Sequence, residues 1–293
     1  MDTVNKFSQY AKIHGIAKQI IGIPKTVDND LMVTDHTPGF GSAAKYIAQR
    51  TLETYLDSSV YVYNGIAIIE TMGRDTGWLA ASSSLARING KPVADLIYLP
   101  EVDFCKEQFI EDVRRIYEEK GKVFIVASEG LKDSTGKYLS EMETSNEHDE
   151  FGHAKLGGLG GYLKSVIDEA EITSRVKVLE LGVAQRAAMC SASATDINSA
   201  FTAGYEAYIY STKGDTGFMV AIKRVSNDPY KIEIFKANPQ DIANHIKYFP
   251  IEWINKEGNH VLEEVFNYIS PLIMGQPDIV MENGLPKYIE FEK

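Results

Sequence analysis

Apolar positions recur three or four apart through residues 2 to 18, where Val4, Phe7, Tyr10, Ala11, His14 and Ala17 fall on one helical face. QIIGI follows and reads as a short buried strand. A parallel α/β domain ordinarily opens on a strand, so a helix running straight into a strand predicts that earlier units are absent. GFGSAAKYIAQRTLETYL is a helix entered through Thr37 and Pro38, a cap and a first-turn proline. SVYVYNGIAIIETM is strand-rich, TGWLAASSSLAR small and helical, ADLIYLP a strand, CKEQFIEDVRRIYEEKG a helix and KVFIVASEG a strand. Strands alternating with helices in this way predict an α/β fold with doubly wound parallel sheets.

From Leu131 to Glu150 the chain turns polar and reads as a long exposed loop or hairpin. A second α/β portion follows: a helix from about Leu156 to Ala170, a strand at VKVLELG, a helix from about Asp196 to Thr212, and strands at GFMVAIKRV and KIEIFKA. The remainder, with FPIEWI and YISPLIMG, is a tail packed onto the domains. No internal repeat or low-complexity tract interrupts the pattern.

Composition narrows the class. With 293 residues, 44% of them hydrophobic, the chain can bury two moderate cores, and two lobes are expected. No stretch approaches the apolar length of a membrane span, and the amino end has no basic-then-apolar signal pattern, which makes the cytoplasm the default location. Cys105 and Cys190 lie far apart without His or Cys at metal-ligand spacing, so they are core or incidental residues. A net charge of -11 disfavours a nucleic-acid partner. The same charge makes any basic residue beside a glycine-rich turn informative, because an anionic metabolite must overcome the protein's own field.

In doubly wound sheets ligands gather at the carboxyl ends of strands. PKTVDND, ETMGRDTG and SEG stand at such ends, and LGVAQR follows VKVLE. Each alone is as compatible with a cap or surface turn; four on one edge predict a polar cleft. MGRDTG suits a phosphate held by amide N–H groups and the Arg74 guanidinium, or is a tight turn with a solvated arginine. Glu129 can accept from sugar hydroxyls. GHAKLGGLGGYL is not a dinucleotide fingerprint, since no strand precedes it and the spacing differs, and close helix packing is expected there. Arg114 and Arg115 belong to a solvated helix face.

Taken in order, PKTVDND, ETMGRDTGWLA, VASEG, FGHAKLGG and LGVAQR resemble the 6-phosphofructokinase family over nearly the whole chain. The resemblance implies a cytoplasmic glycolytic kinase, a homo-oligomer that transfers a phosphoryl group from ATP or pyrophosphate to the 1-hydroxyl of fructose 6-phosphate with Mg2+. By the same resemblance Asp28 matches the catalytic base, Thr26 a residue bonding near the transferred phosphoryl, and Asp30 a carboxylate that helps the magnesium ion. Met72, Gly73, Arg74, Glu129 and Arg186 match sugar-phosphate-binding positions, and Lys177 stands where the family has an arginine. Lys25 resembles the pyrophosphate-dependent type, where ATP-dependent bacterial members have glycine, although some ATP-using relatives share the lysine.

Three departures accompany the match. Val183 replaces the histidine of LGHxQR, the glycines after it become QRAAMCSASATD, and Gly65 stands where many members place an arginine donated across a subunit interface. The family's early phosphate loop and its GG-containing turn are missing. The resemblance therefore implies residues 1–40 as the remnant of a donor domain, 41–185 as the sugar-phosphate domain, and 186–293 as a segment returning to the donor domain plus tail. On this expectation the chain is truncated and poorly active alone, and a non-catalytic sugar-phosphate-binding or regulatory role is the alternative.

Overall fold

The computed structural model describes residues 1–60, 65–142 and 158–289. In chain order the elements are α1 (Asp2–Ile13), β1 (Ile21–Gly22), α2 (Phe40–Ser59), β2 (Gly65–Thr71), α3 (Trp78–Ser82), β3 (Arg87–Ile88), β4 (Lys91–Pro92), β5 (Leu96–Tyr98) and α4 (Lys106–Lys120). They continue with β6 (Lys122–Ser128), α5 (Leu159–Glu169), β7 (Val176–Glu180), α6 (Ala194–Thr212), β8 (Phe218–Asn227), β9 (Tyr230–Ala237), α7 (Glu263–Ile269), β10 (Met281–Glu282) and β11 (Leu285–Pro286). Two compact units emerge. One holds Met1–Tyr46, Arg186–Ile246 and the chain from Ser270 on; the other holds Ile47–Gln185 and Lys247–Ile269.

The second unit is built on a four-stranded sheet in the order β5-β6-β2-β7, parallel throughout. β2 and β6 are buried along nearly their whole length, and a parallel strand covered on both faces reads as a continuous apolar run rather than an alternating one. Phe109, Val113 and Ile116 of α4 and Leu159, Leu163, Val166 and Ile167 of α5 pack with Ile66, Ile68, Val123 and Ile125. Phe124 alternates with Val123 and Ile125, so its ring faces the other side, where it meets Tyr55 of α2 edge-on at 5.8 Å. Helices thus cover both faces. α4 stops at Gly121, whose φ of 69° and amide bond to the Tyr117 carbonyl at 2.7 Å make the left-handed cap that releases the chain into β6.

The predicted helix TGWLAASSSLAR is cut short. Ser82, Ser83 and Ser84 donate their hydroxyls to carbonyls three residues back, at 2.6, 2.6 and 2.8 Å. Such side-chain bonds compete with the helical ladder, and the segment tightens into a 3-10 turn. Residues 247–269 dock in this unit through an aromatic group: Phe249, Trp253 and Tyr268 surround Trp78 at centroid distances of 5.0, 6.1 and 5.2 Å. Asn259 adds a 2.7 Å bond to the buried carboxylate of Asp112.

In the first unit the sheet runs β1-β8-β9. Here the expectation of purely parallel strands gives way: β1 pairs with β8 in parallel, but β8 and β9 are antiparallel. Only Asp228 and Pro229 join them, and so short a connection permits a hairpin alone. Ala203 and Ala207 of α6 pack on Phe218 and Val220 of β8. α1 ends earlier than its apolar spacing suggests, because Gly15 takes a φ of 65°.

Both cysteines are exposed, which removes them from the core where one reading placed them; Cys105 is the residue preceding α4. Among the described residues no helix is long and apolar enough to cross a membrane. The motif FGHAKLGG but for its last glycine, residues 143–150 of the predicted loop, and residues 61–64 before Gly65 lie outside the described residues.

Candidate active site

The stretch GIPKTVDND leaves β1 in the first unit and is tied to the entry of α2. The Thr37 hydroxyl donates to the Thr26 carbonyl at 2.7 Å, and Thr26 bridges to Gly39. Asn29 is fully buried with a φ of 56°, and its side-chain oxygen accepts the Thr37 amide at 3.1 Å. This left-handed residue separates the two aspartates. The Thr26 hydroxyl accepts the Asp28 amide at 3.1 Å and donates to Asp28 Oδ2 at 3.3 Å, so one threonine fixes both backbone and carboxylate of that residue.

Burial pushes the Asp28 carboxyl above the ordinary aspartate range, and the charge of Asp30 adds to the rise; Thr26, Lys25 and Arg186 oppose it. The first unit therefore brings Lys25, Thr26, Asp28, Asp30 and Arg186 into one electrostatic neighbourhood. A half-buried carboxylate with raised basicity between a carboxylate and two cations can accept a proton and tolerate an anion nearby.

In the second unit the carboxyl edge of the sheet carries Met72–Arg74 after β2 and Glu129 after β6. Gly73 has a φ of 130°, and a Cβ there would lie 2.6 Å from both Ser128 Oγ and the Thr76 carbonyl, so this turn requires glycine. The Ser128 hydroxyl donates to the Gly73 carbonyl at 2.5 Å, and the Gly73 amide donates to Glu129 Oε1 at 3.4 Å. The Met72 amide donates to Gln185 Oε1 at 3.1 Å. Further on, the Gly77 amide donates to both oxygens of Glu101, at 3.0 and 3.1 Å. Of the amides of MGRDTG, those of Met72, Gly73 and Gly77 are thus engaged by protein acceptors.

Glu70, the penultimate residue of β2, is buried and accepts the Gly160 amide at the start of α5 at 2.7 Å. Burial pushes its carboxyl up to about 7, with the charges of Glu180 and Glu129 adding to the rise. Gly160 also shows why the glycine-rich stretch packs closely, since a Cβ there would overlap Val178 of β7.

Lys177 stands apart from these residues. It lies near the start of β7, pairs in register with Ala67, and sits 3.7 Å from Asp57. There it lines, with Gly65, a cavity of about 700 Å³ at the amino edge of the sheet whose other cations are Lys91, Lys120, Lys122 and Arg175. Val183, in place of the family histidine, is 66% exposed. Sequence reasoning missed Asn29, Ser128, Gln185 and Glu70. Asn29 carried a signal, being an asparagine between two aspartates in a turn, the residue type that tolerates the left-handed region.

Among the described residues no cluster of three or more His, Cys, Asp or Glu could hold a metal by itself. Mg2+ ordinarily takes one or two carboxylates and completes its shell with water and phosphate oxygens, a demand that the Asp30 carboxylate suits.

Residues 1–210 match the family described as Phosphofructokinase. The chain is 38% identical over 294 aligned residues to the pyrophosphate--fructose 6-phosphate 1-phosphotransferase of Xanthomonas campestris pv. campestris, covering 99% of this chain and 70% of that protein. It is 37% identical to the protein of the same name from Halomonas elongata, covering 100% of this chain and 69% of that one. The crystal structure of a pyrophosphate-dependent phosphofructokinase from Nitrosospira multiformis superposes with a TM-score of 0.86 at 33% identity, over 98% of this chain and 68% of the other. Matched in sequence over most of its length and in fold over nearly all of it, the chain belongs to the phosphofructokinase family.

Proposed function

We propose that the protein transfers a phosphoryl group from pyrophosphate to the 1-hydroxyl of fructose 6-phosphate, giving fructose 1,6-bisphosphate, with Asp28 as general base. The observation that carries this reading is the PKTVDND turn, where a half-buried Asp28 of raised basicity sits beside Lys25 and is bonded by Thr26. As the sugar oxygen attacks, Asp28 takes its proton; the O–P bond to the sugar forms as the bond to the leaving phosphate breaks. Thr26 and Lys25 face the transferred phosphoryl. Lys25 supplies a compact positive charge, which suits a donor of concentrated charge that has no base to stack. Met72, Gly73, Arg74 and Glu129 bind the sugar, and Arg186 its phosphate. Asp30 would hold Mg2+, which when bound neutralises charge on the donor oxygens.

Family membership and the cations around Gly65 support a homo-oligomer in which Lys177 serves the sugar phosphate of a second copy. Likeness to glycolytic-type relatives supports a cytoplasmic location. The test is product formation with pyrophosphate against ATP, in the wild type and in Asp28→Asn and Lys25→Gly. Pyrophosphate should be the better donor, and Asp28→Asn should lower kcat by about 100-fold or more. Full velocity in Asp28→Asn overturns the general base; turnover with ATP alone overturns the donor; tight sugar binding with no turnover on either donor supports the non-catalytic alternative.

A further inference from the structure

We infer that Gln185 is a positioning residue that sets affinity for the sugar by fixing the Met72–Gly73 turn; this rests on the reading of that turn as the sugar site. The ladder between β2 and β7 runs from Ile66 opposite Val176 to Glu70 opposite Glu180, and the Leu181 amide closes the last rung on the Glu70 carbonyl at 3.1 Å. Beyond that rung β7 has ended. Gly182 takes a φ of 51° and the chain winds into the 3-10 segment Gly182–Arg186.

The Met72 amide would thus stand at the sheet edge without a strand opposite it. Gln185 fills the gap. Its Oε1 accepts the Met72 amide at 3.1 Å, and its Nε2 donates to the Gly182 carbonyl at 3.0 Å. One planar side-chain amide therefore acts as the rung that β7 no longer provides, accepting from one chain segment and donating to the other. Gln185 is buried, so neither bond has water as a ready substitute. On the β6 side Ser128 holds the Gly73 carbonyl and Glu129 the Gly73 amide.

The path of the Met72–Gly73 backbone is thus held on both sides, and the aim of Met72 and Arg74 depends on the clamp. Gln185 touches no reacting atom. Its loss should weaken sugar binding and leave the chemical step nearly intact, a split that a residue needed only for folding would not produce.

The test is calorimetric titration of fructose 6-phosphate into wild type, Gln185→Leu and Gln185→Glu, with KM and kcat measured beside it. Leucine removes both bonds at similar volume and should raise Kd and KM about tenfold or more, with kcat within about twofold. Glutamate keeps an acceptor for the Met72 amide but turns an oxygen that cannot donate against the Gly182 carbonyl, so at pH 8 it should bind about as weakly as the leucine variant. A leucine variant that binds as tightly as wild type overturns the inference, as does a glutamate variant that does so at pH 8. Should Gln185→Leu not fold, Gln185→Glu decides alone: wild-type affinity at pH 8 in that protein, once shown to be folded, overturns the clamp. Wild type that binds no fructose 6-phosphate at all sinks the reading of the sugar site, and this inference with it; a bound wild type with an indifferent Gln185 sinks the inference only.

Discussion

Asn29 and Thr37 are locked together across the PKTVDND turn, the side-chain oxygen of the first accepting the amide of the second at 3.1 Å while Asn29 holds a φ of 56°. Asparagine does two things there that few residues can. It tolerates the left-handed backbone that reverses the chain between Asp28 and Asp30, and it supplies the acceptor that pins this reversal to the start of α2.

These two contributions separate by substitution. Asn29→Gly keeps the backbone freedom and loses the bond; Asn29→Ala loses both. Urea unfolding should show alanine costing about 2 kcal/mol, the sum of about 1 for the left-handed conformation and about 1 for the bond. Glycine should cost about half as much. Equal losses in the two variants would show that conformation is not the constraint.

The basicity of Asp28 makes a signed prediction for activity. Its folded pKa lies above the ordinary aspartate value, so the ionised base is lost at higher pH on acidification, and the acid limb of kcat/KM should sit above 3.8. Asp30→Asn removes a charge that raises the pKa, moving the limb to lower pH. Lys25→Met removes a charge that lowers it, moving the limb to higher pH. Displacement of both variants in one direction would refute the assignment.

Glu70 makes a signed prediction for stability. Its carboxyl is pushed from 4.5 up to about 7 in the folded protein, mainly by burial, so the folded state holds the proton more tightly than the unfolded state. Stability is then undiminished below pH 4.5, falls as pH rises through this window, and carries the full cost of burying the charge above 7. The cost is at most about 3 kcal/mol, from about 1.36 kcal/mol per unit. Glu70→Gln keeps an oxygen for the Gly160 amide and removes the charge. Chemical unfolding should find it more stable than wild type at pH 8 and about equal at pH 4.5. A variant less stable at pH 8 would show that the ionised carboxylate is needed.

Legibility in the sequence followed the length scale of each constraint. β2 and β6 were visible as unbroken apolar runs and α4 by its helical period, since burial writes itself into consecutive residues. So was the PKTVDND turn, where residues close in sequence share one site. The 3-10 ending of α3 was hidden, since it depends on three serines choosing carbonyls over solvent. The β8–β9 hairpin disguised itself as two more strands of a parallel sheet, because strand pattern carries no direction. Gln185, Ser128 and Glu70 act on partners between 55 and 113 residues away, a separation that no local pattern records. Lys177, which the resemblance groups with Met72, lies near the start of β7, while Met72 follows the end of β2, a separation that sequence order does not reveal.

Gly130 tests whether the Met72–Arg74 turn, proposed to bind the sugar, tolerates any movement. It follows Glu129, and a Cβ at this position would overlap the Arg74 carbonyl. That neighbour is backbone, so no side chain can swing aside; either the Met72–Arg74 turn or the end of β6 must shift. Gly130→Ala should therefore lose about 1–3 kcal/mol of stability, as overpacking generally does, and weaken fructose 6-phosphate binding as well. Gly204 of α6 is the control. Nothing stands within 4 Å of its hypothetical Cβ, and replacing a helical glycine by alanine should stabilise the protein by about 1 kcal/mol. Titration calorimetry and urea unfolding on both variants read the contrast. A Gly130→Ala protein that keeps wild-type sugar affinity would mean that the turn moves freely without losing its ligand, and that its tight packing serves stability alone.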